Sequence, residues 1–254
     1  MIESGHYTTE FYSGQQEGSY TSAQVILPLV NEIFSPKSVI DIGCGVGYWL
    51  KVWSEQLGVE DYKGVEGPYV SAEMLKVSKD KVLFQDLKLP VQLNRKFDLA
   101  MSMEVAEHLP HDHAKDFVRS LISLSDVILF SAAIEGQEGT YHINEQFPEY
   151  WSNIFSEFGF VPVDYLRPKI WNNPKVEWWY QQNALLYIKK ERLGDFPALN
   201  DSYVHTDPNY LVRIHPWIFR HKLQHISKTA SWEGYARWKL YPVKKYIQAL
   251  FKKK

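Results

Sequence analysis

Two groups of residues in this 254-residue chain have types and spacings suited to chemistry. The first lies in VIDIGCGVGYWL, Val39 to Leu50. Glycines at 43, 45 and 47 permit positive φ and let a ligand approach the backbone closely. The helix expected after them offers free N–H donors in its first turn. A related G-x-G-x-x-G turn holds a pyrophosphate in dinucleotide-binding folds. Here the spacing is G-x-G-x-G, and Asp41 stands two residues before the first glycine. A carboxylate there repels phosphate and suits an amine or other cation. Glu66 falls 19 residues after Gly47, where a carboxylate can accept from both hydroxyls of a ribose. Asp86, at the end of a third expected strand, could receive the amino group of an adenine. These acids fit a nucleoside that carries an amino-acid arm and no phosphate.

The second group is in FDLAMSMEVAEHLP, which places Glu104, Glu107 and His108 just after a fourth expected strand. On a helix, positions i, i+3 and i+4 share a face, so three ligand groups would converge. Two carboxylates and an imidazole could hold Mg²⁺ or Mn²⁺. Such a cation would bind acceptor hydroxyls and lower their pKa. His142, in TYHINEQFPEYW beyond the fifth expected strand, is a fourth candidate ligand. Three readings stay open: a cation site, a metal-free general base built on His108 or His142 with Glu104 in support, and a structural histidine that caps or packs. His111 and His113 are expected on a solvated helix start.

The elements that must position these groups follow from hydrophobic spacing. Short apolar strands are expected at Ser38–Ile42, Tyr62–Gly67, Val82–Asp86, Phe97–Met103, Asp126–Ala132, Phe160–Arg167 and Ala184–Lys189. Helices are expected from about residue 20 to Pro36, and over 47–57, 72–78, 111–124 and 149–158. Strand–helix alternation implies parallel crossovers with helices on both sheet faces. The fold class is therefore α/β, a Rossmann-like, mostly parallel seven-strand sheet with an antiparallel edge strand and a C-terminal helical extension. A catalytic domain is expected over 1–194, including an N-terminal arm and helix over 1–35, and an extension over 195–254. The Trp-rich stretch Trp171–Tyr180 is expected as a loop inside the edge hairpin.

The composition is ordinary for a globular chain, 45% hydrophobic and 23% charged. One cysteine, Cys44, excludes a disulfide framework or a Cys-rich zinc site. No apolar run approaches the roughly 18 residues of a membrane span, and the N-terminus lacks the blocks of a signal peptide. A cytoplasmic location is the expectation. Charge divides unevenly: residues 1–199 carry 17 Lys and Arg against 27 acids, whereas residues 200–254 carry 11 against 3.

The D-x-G-x-G-x-G turn with acids after strands two and three resembles the class I S-adenosylmethionine-dependent methyltransferases, over roughly residues 20–190. The resemblance implies that Asp41, Gly43 and Gly45 hold the methionine end of the donor, Glu66 its ribose, and Asp86 with Leu87 its adenine. Tyr48, Gly67 and Met103 are expected beside them. The E-x-x-E-H pattern with a later histidine is similar to metal-dependent O-methyltransferases, including those acting on the 2′-hydroxyl of small RNAs. FYSGQQEGSYTSAQVILPLV, GVEGPYV and HINEQFPEYWSNIFSEFGF resemble a narrower group, bacterial methyltransferases encoded among surface-polysaccharide genes.

That resemblance implies O-methylation of a sugar, or of a nucleotide-activated or phosphoramidate precursor of a capsule or O-antigen. Tyr12, Trp171, Trp178 and Trp179 are the expected acceptor contacts, with Tyr7, Tyr12 and Ser22 as a lid; edge-strand packing and a docked helix explain the same residues. An RNA 2′-O-methyltransferase and a non-catalytic module that senses the donor are the alternatives. No nucleic-acid partner is expected of so acidic a body. The basic, aromatic tail would suit peripheral contact with the inner membrane, or with a glycosyltransferase.

Overall fold

Strands that are buried on both faces read as continuous apolar runs. In the computed structural model, which describes residues 9–229 and the side chains of 18–226 except residue 225, they form one sheet. β1 (Ser38–Ile42), β4 (Leu99–Met103) and β5 (Val127–Ser131) are buried at every residue. β2 (Asp61–Glu66) and β3 (Val82–Phe84) extend the sheet on one side, β6 (Phe160–Val163) and β7 (Leu185–Lys189) on the other. The order is β3-β2-β1-β4-β5-β7-β6. The first five strands are parallel, and β7 runs antiparallel to both β5 and β6. The expected antiparallel pair thus stands at the sheet edge, with β7 as its inner member.

Alternate residues of each strand feed two cores. Val39, Leu99, Met101 and Leu129 pack beneath α1 (Thr9–Phe34) and α2 (Tyr48–Glu55). Ile40, Ala100, Ile128 and Phe130 pack beneath α3 (Ala114–Leu124) and α4 (Pro148–Ser156). α1 buries Ala23, Ile26, Leu27 and Val30, an i, i+3, i+4, i+7 stripe. α1 continues through Pro28, so apolar burial outweighs one lost backbone hydrogen bond.

Several expected boundaries move. The helix expected at 72–78 is a single 3₁₀ turn, Ala72–Met74. His111–His113 form a 3₁₀ turn ahead of α3, as a solvated helix start. The Trp-rich stretch is no simple loop: α5 (Arg167–Ile170) leads directly into it and α6 (Trp178–Asn183) begins within it. Val176, Tyr180 and Ile170 are buried there, and that burial folds the segment back onto the sheet. α7 (Asn200–Val204) follows β7, and residues through Arg213 belong to the same compact unit. Residues 214–254 form a second unit, whose described element is α8 (Pro216–Thr229). Among the described residues, no helix is long and apolar enough to cross a membrane.

Candidate active site

In an open α/β sheet the ligand crevice lies beyond the carboxyl ends of the strands, where strand order reverses. Here that point is between β1 and β4. A cavity of about 380 Å³ opens there, lined by Asp41, the Gly43–Val46 turn and Glu66 at one end and by His108 and His142 at the other.

The turn is built by its glycines. Gly43, Gly45 and Gly47 have φ of 81°, 55° and 92°, a region that side chains disfavour. A Cβ on Gly43 would meet Val105 Cγ2 at 2.5 Å, whereas one on Gly45 would meet nothing within 4 Å. Gly43 is therefore needed for packing, and Gly45 leaves open space on the cavity wall. Glu66 fixes the turn: its carboxylate accepts from Gly45 N–H at 2.5 Å and from Gly67 N–H at 2.7 Å. Gly67 is not itself on the wall. A Cβ there would strike the ring of Tyr69, which does line the cavity.

Asp41 and Glu66 are 2% and 3% exposed. Burial pushes both carboxyls above their ordinary range, and the Glu66 charge pushes Asp41 further. Among the described residues neither has a Lys or Arg within ion-pair distance. A cationic or amine-bearing ligand would relieve both. Asp86 lies two residues past β3 and is exposed, accepting from Lys88 N–H at 3.0 Å. With Leu87, Tyr48 and Met103 it completes the wall around this end.

The second cluster is not the helical face that spacing suggested. Glu104 follows β4 with a left-handed φ of 56°, and only Ala106–His108 form a turn, of 3₁₀ type. Glu104 lines the same cavity as the histidines, but its carboxylate is engaged elsewhere. Its carboxylate accepts from Asn183 Nδ2 at 3.1 Å and from Gln137 Nε2 at 2.9 Å. The ligand atoms that do converge, within 4.8 Å of one another, belong to Glu107, His108 and His142. Glu104 is outside that group, a correction to the four-residue set.

Glu107 is fully buried, and among the described residues neither carboxyl oxygen has a donor at full hydrogen-bond geometry, although the Glu107 and Ala133 backbone N–H groups favour its charge. Burial, then the charge of Glu104, pushes its carboxyl well above the ordinary range. Such a group is stable only when protonated or when a cation sits against it. The two histidines are held from behind. His108 Nδ1 lies 3.2 Å from the Tyr141 carbonyl, and His142 Nδ1 lies 2.9 Å from Glu145 Oε1. Both partners accept, so each Nδ1 carries the proton, and Nε2 is the ring nitrogen left to a ligand. His142 Nε2 stands 4.0 Å from Glu107 Oε1. The rings meet edge to face, 4.9 Å apart. Burial and the neighbouring His142 push His108 down to about 4, which keeps it neutral. A carboxylate and two back-bonded imidazoles are a donor set that fits a divalent cation.

Trp178 and Trp179 line the cavity and pack edge to face at 5.6 Å. Trp171, beyond the end of α5, is not on the wall and is removed from the acceptor contacts. Ser22 is buried and bonds Glu177 N–H at 2.9 Å, so it docks α1 and does not act as a lid. Tyr7 and the side chain of Tyr12 lie outside the described residues.

A family model described as a methyltransferase domain matches residues 15–152. The chain belongs to this methyltransferase family. No curated protein matches it. Among solved structures, the methyltransferase resembles the sugar N-methyltransferase KedS8 from Streptoalloteichus sp. ATCC 53650. They share 15% identity over 71% of this chain and 92% of that one, with a TM-score of 0.53. A candidate O-methyltransferase from Nostoc punctiforme PCC 73102 matches at 16% identity over 71% and 59%, TM-score 0.54. DesVI from Streptomyces venezuelae matches at 22% identity over 52% of this chain, TM-score 0.40; the chain spans 58% of its length. The likeness to the first two establishes the Rossmann-like methyltransferase fold.

Two supporting groups had no legible signal, Gln137 and Asn183, which are distant in sequence from the Glu104 carboxylate they hold. Glu145, three residues after His142, had the spacing to be noticed.

Proposed function

We propose that the protein transfers the methyl group of S-adenosylmethionine to a hydroxyl of a sugar, or of a nucleotide-activated or phosphoramidate precursor of a bacterial surface polysaccharide. One observation carries the reading: a single cavity joins a cation-favouring acidic crevice to two histidines whose Nε2 atoms are left to a ligand. The donor, when bound, supplies a methyl on a sulfonium that leaves as a neutral thioether. Asp41 and the Gly43–Gly45 turn would hold its amino-acid end, Glu66 the ribose, and Asp86 with Leu87 the adenine. At the other end, His142, oriented by Glu145, would serve the acceptor as a ligand of a bound cation, and would take the acceptor proton itself only where no cation is held. Trp178 and Trp179 would stack on the acceptor ring.

Glu107, His108 and His142 would hold the cation, and their mixed oxygen–nitrogen set suits Mn²⁺ better than Mg²⁺. Bound there, the metal supplies Lewis acidity that makes a hydroxyl easier to deprotonate. RNA is a poorer acceptor, because residues 1–213 carry 18 cations against 29 acids. A cytoplasmic site of action fits a chain that uses this donor on activated sugars.

The test is product analysis with methyl-labelled S-adenosylmethionine and a panel of nucleotide sugars and glycan precursors. Label should appear as a methyl ether, and His142→Ala should lose turnover at least about a hundredfold while still binding S-adenosylhomocysteine. Chelation should stop turnover and added Mn²⁺ restore it. Methyl on nitrogen, or full turnover in the His142 variant, contradicts the assignment; activity unchanged by chelation leaves His142 as a metal-free base.

A further inference from the structure

α8 begins at Pro216, an ordinary first helical position. Phe219, Leu223 and Ile226 recur at i, i+4 and i+7 and so share one stripe. They are 56%, 49% and 58% exposed, which is far from the usual fate of an apolar helix stripe. Arg220 and Lys222 flank that stripe on either side by helical spacing. Trp217, half exposed, stacks flat on His221 at 5.2 Å. The unit that contains α8, residues 214–254, carries ten Lys and Arg against a single acid, Glu233, together with eight aromatic residues.

An exposed aliphatic stripe and a strong positive charge in one short segment are the two terms that hold an amphipathic helix in a bilayer interface. We propose that α8 docks on an anionic phospholipid surface, with Phe219, Leu223 and Ile226 among the acyl chains and Arg220 and Lys222 at the headgroups. Nucleic acid satisfies the cations equally well, but it offers Leu223 and Ile226 no apolar medium. A methyltransferase acting on membrane-assembled glycans would work where its acceptor is made, yet the docking argument stands without that reading.

The experiment is flotation of the full chain with phosphatidylglycerol-containing vesicles and with pure phosphatidylcholine vesicles. The protein should float with the anionic vesicles alone and be released as salt approaches about 1 M. Arg220→Ala and Lys222→Ala should each lower partitioning about fivefold. Leu223→Glu with Ile226→Glu should abolish flotation while thermal unfolding of the chain stays unchanged. Equal flotation with neutral lipid overturns the proposal, as does flotation that survives the Glu substitutions. A single-stranded RNA shift that persists in the Glu variant, or a dimer that the Glu variant disperses, assigns the face to another partner and also overturns it.

Discussion

Among the described residues, Asp41 and Glu66 have no basic side chain to neutralise them, and their raised carboxyls set how donor binding responds to pH. Asp41 must be ionised to accept from an ammonium, and its pKa lies above the ordinary value. Affinity for S-adenosylhomocysteine should therefore fall as pH drops through the acidic range. Asp41→Asn should bind about tenfold more weakly at neutral pH and lose that dependence, read by calorimetric titration. His108 works in the opposite sense. Its folded pKa of about 4 lies below the ordinary 6.5, so between those values the unfolded chain takes up the proton first. His108 thus lowers stability as pH falls from about 6.5 to about 4, while raised carboxyls such as Glu107 oppose it. The melting temperature of His108→Gln, compared with the native chain across that window, should show a shallower acid decline. Asp41, Glu66, Glu107, His108 and His142 were legible because spacing and strand ends place them. That Glu104 stands apart from the converging Glu107, His108 and His142 was not legible, because a left-handed backbone cannot be seen in E-x-x-E-H.

At the level of elements, the glycine turn separates two roles that its sequence presents as one. Gly43→Ala forces a Cβ into Val105 at a positive φ and should destabilise the fold by about 1–3 kcal/mol in thermal unfolding. Gly45→Ala meets no neighbour, so its melting temperature should change less while donor affinity drops, since the new methyl faces the cavity. Asn183→Ala strips a donor from the Glu104 carboxylate and should cost about 1–3 kcal/mol, with Asn183→Asp worse because it sets acid against acid. β1, β4 and β5 were legible because both faces are buried, which leaves largely apolar runs. α6 was not. A six-residue helix is too short to show a period, and Trp178–Tyr180 reads equally well as a loop; only the burial of Tyr180 and Val176 against the sheet decides it.

Over the whole molecule, chemistry and charge are allotted to different stretches of chain. The described residues on the cavity wall fall between Ser19 and Tyr180, within the unit that ends at Arg213. A chain stopped after Arg213 should bind S-adenosylhomocysteine within about twofold of the full protein, by titration. The composition showed the division of charge. It did not show that residues 195–213 stay with the first unit, because that attachment rests on single side chains. Arg167 reaches the Leu211 carbonyl at 2.7 Å, and Glu149 takes the Leu211 N–H at the same distance.

The central claim is that acidic groups at the ends of β1 and β2 receive a positively charged adenosyl donor. A crystal structure of the full chain grown with S-adenosylhomocysteine tests it most directly. The account predicts the ligand's ammonium against Asp41, its ribose hydroxyls on Glu66 and its thioether sulfur turned towards His108 and His142. A crevice left empty at saturating ligand, or one that takes the diphosphate of a dinucleotide instead, would contradict it.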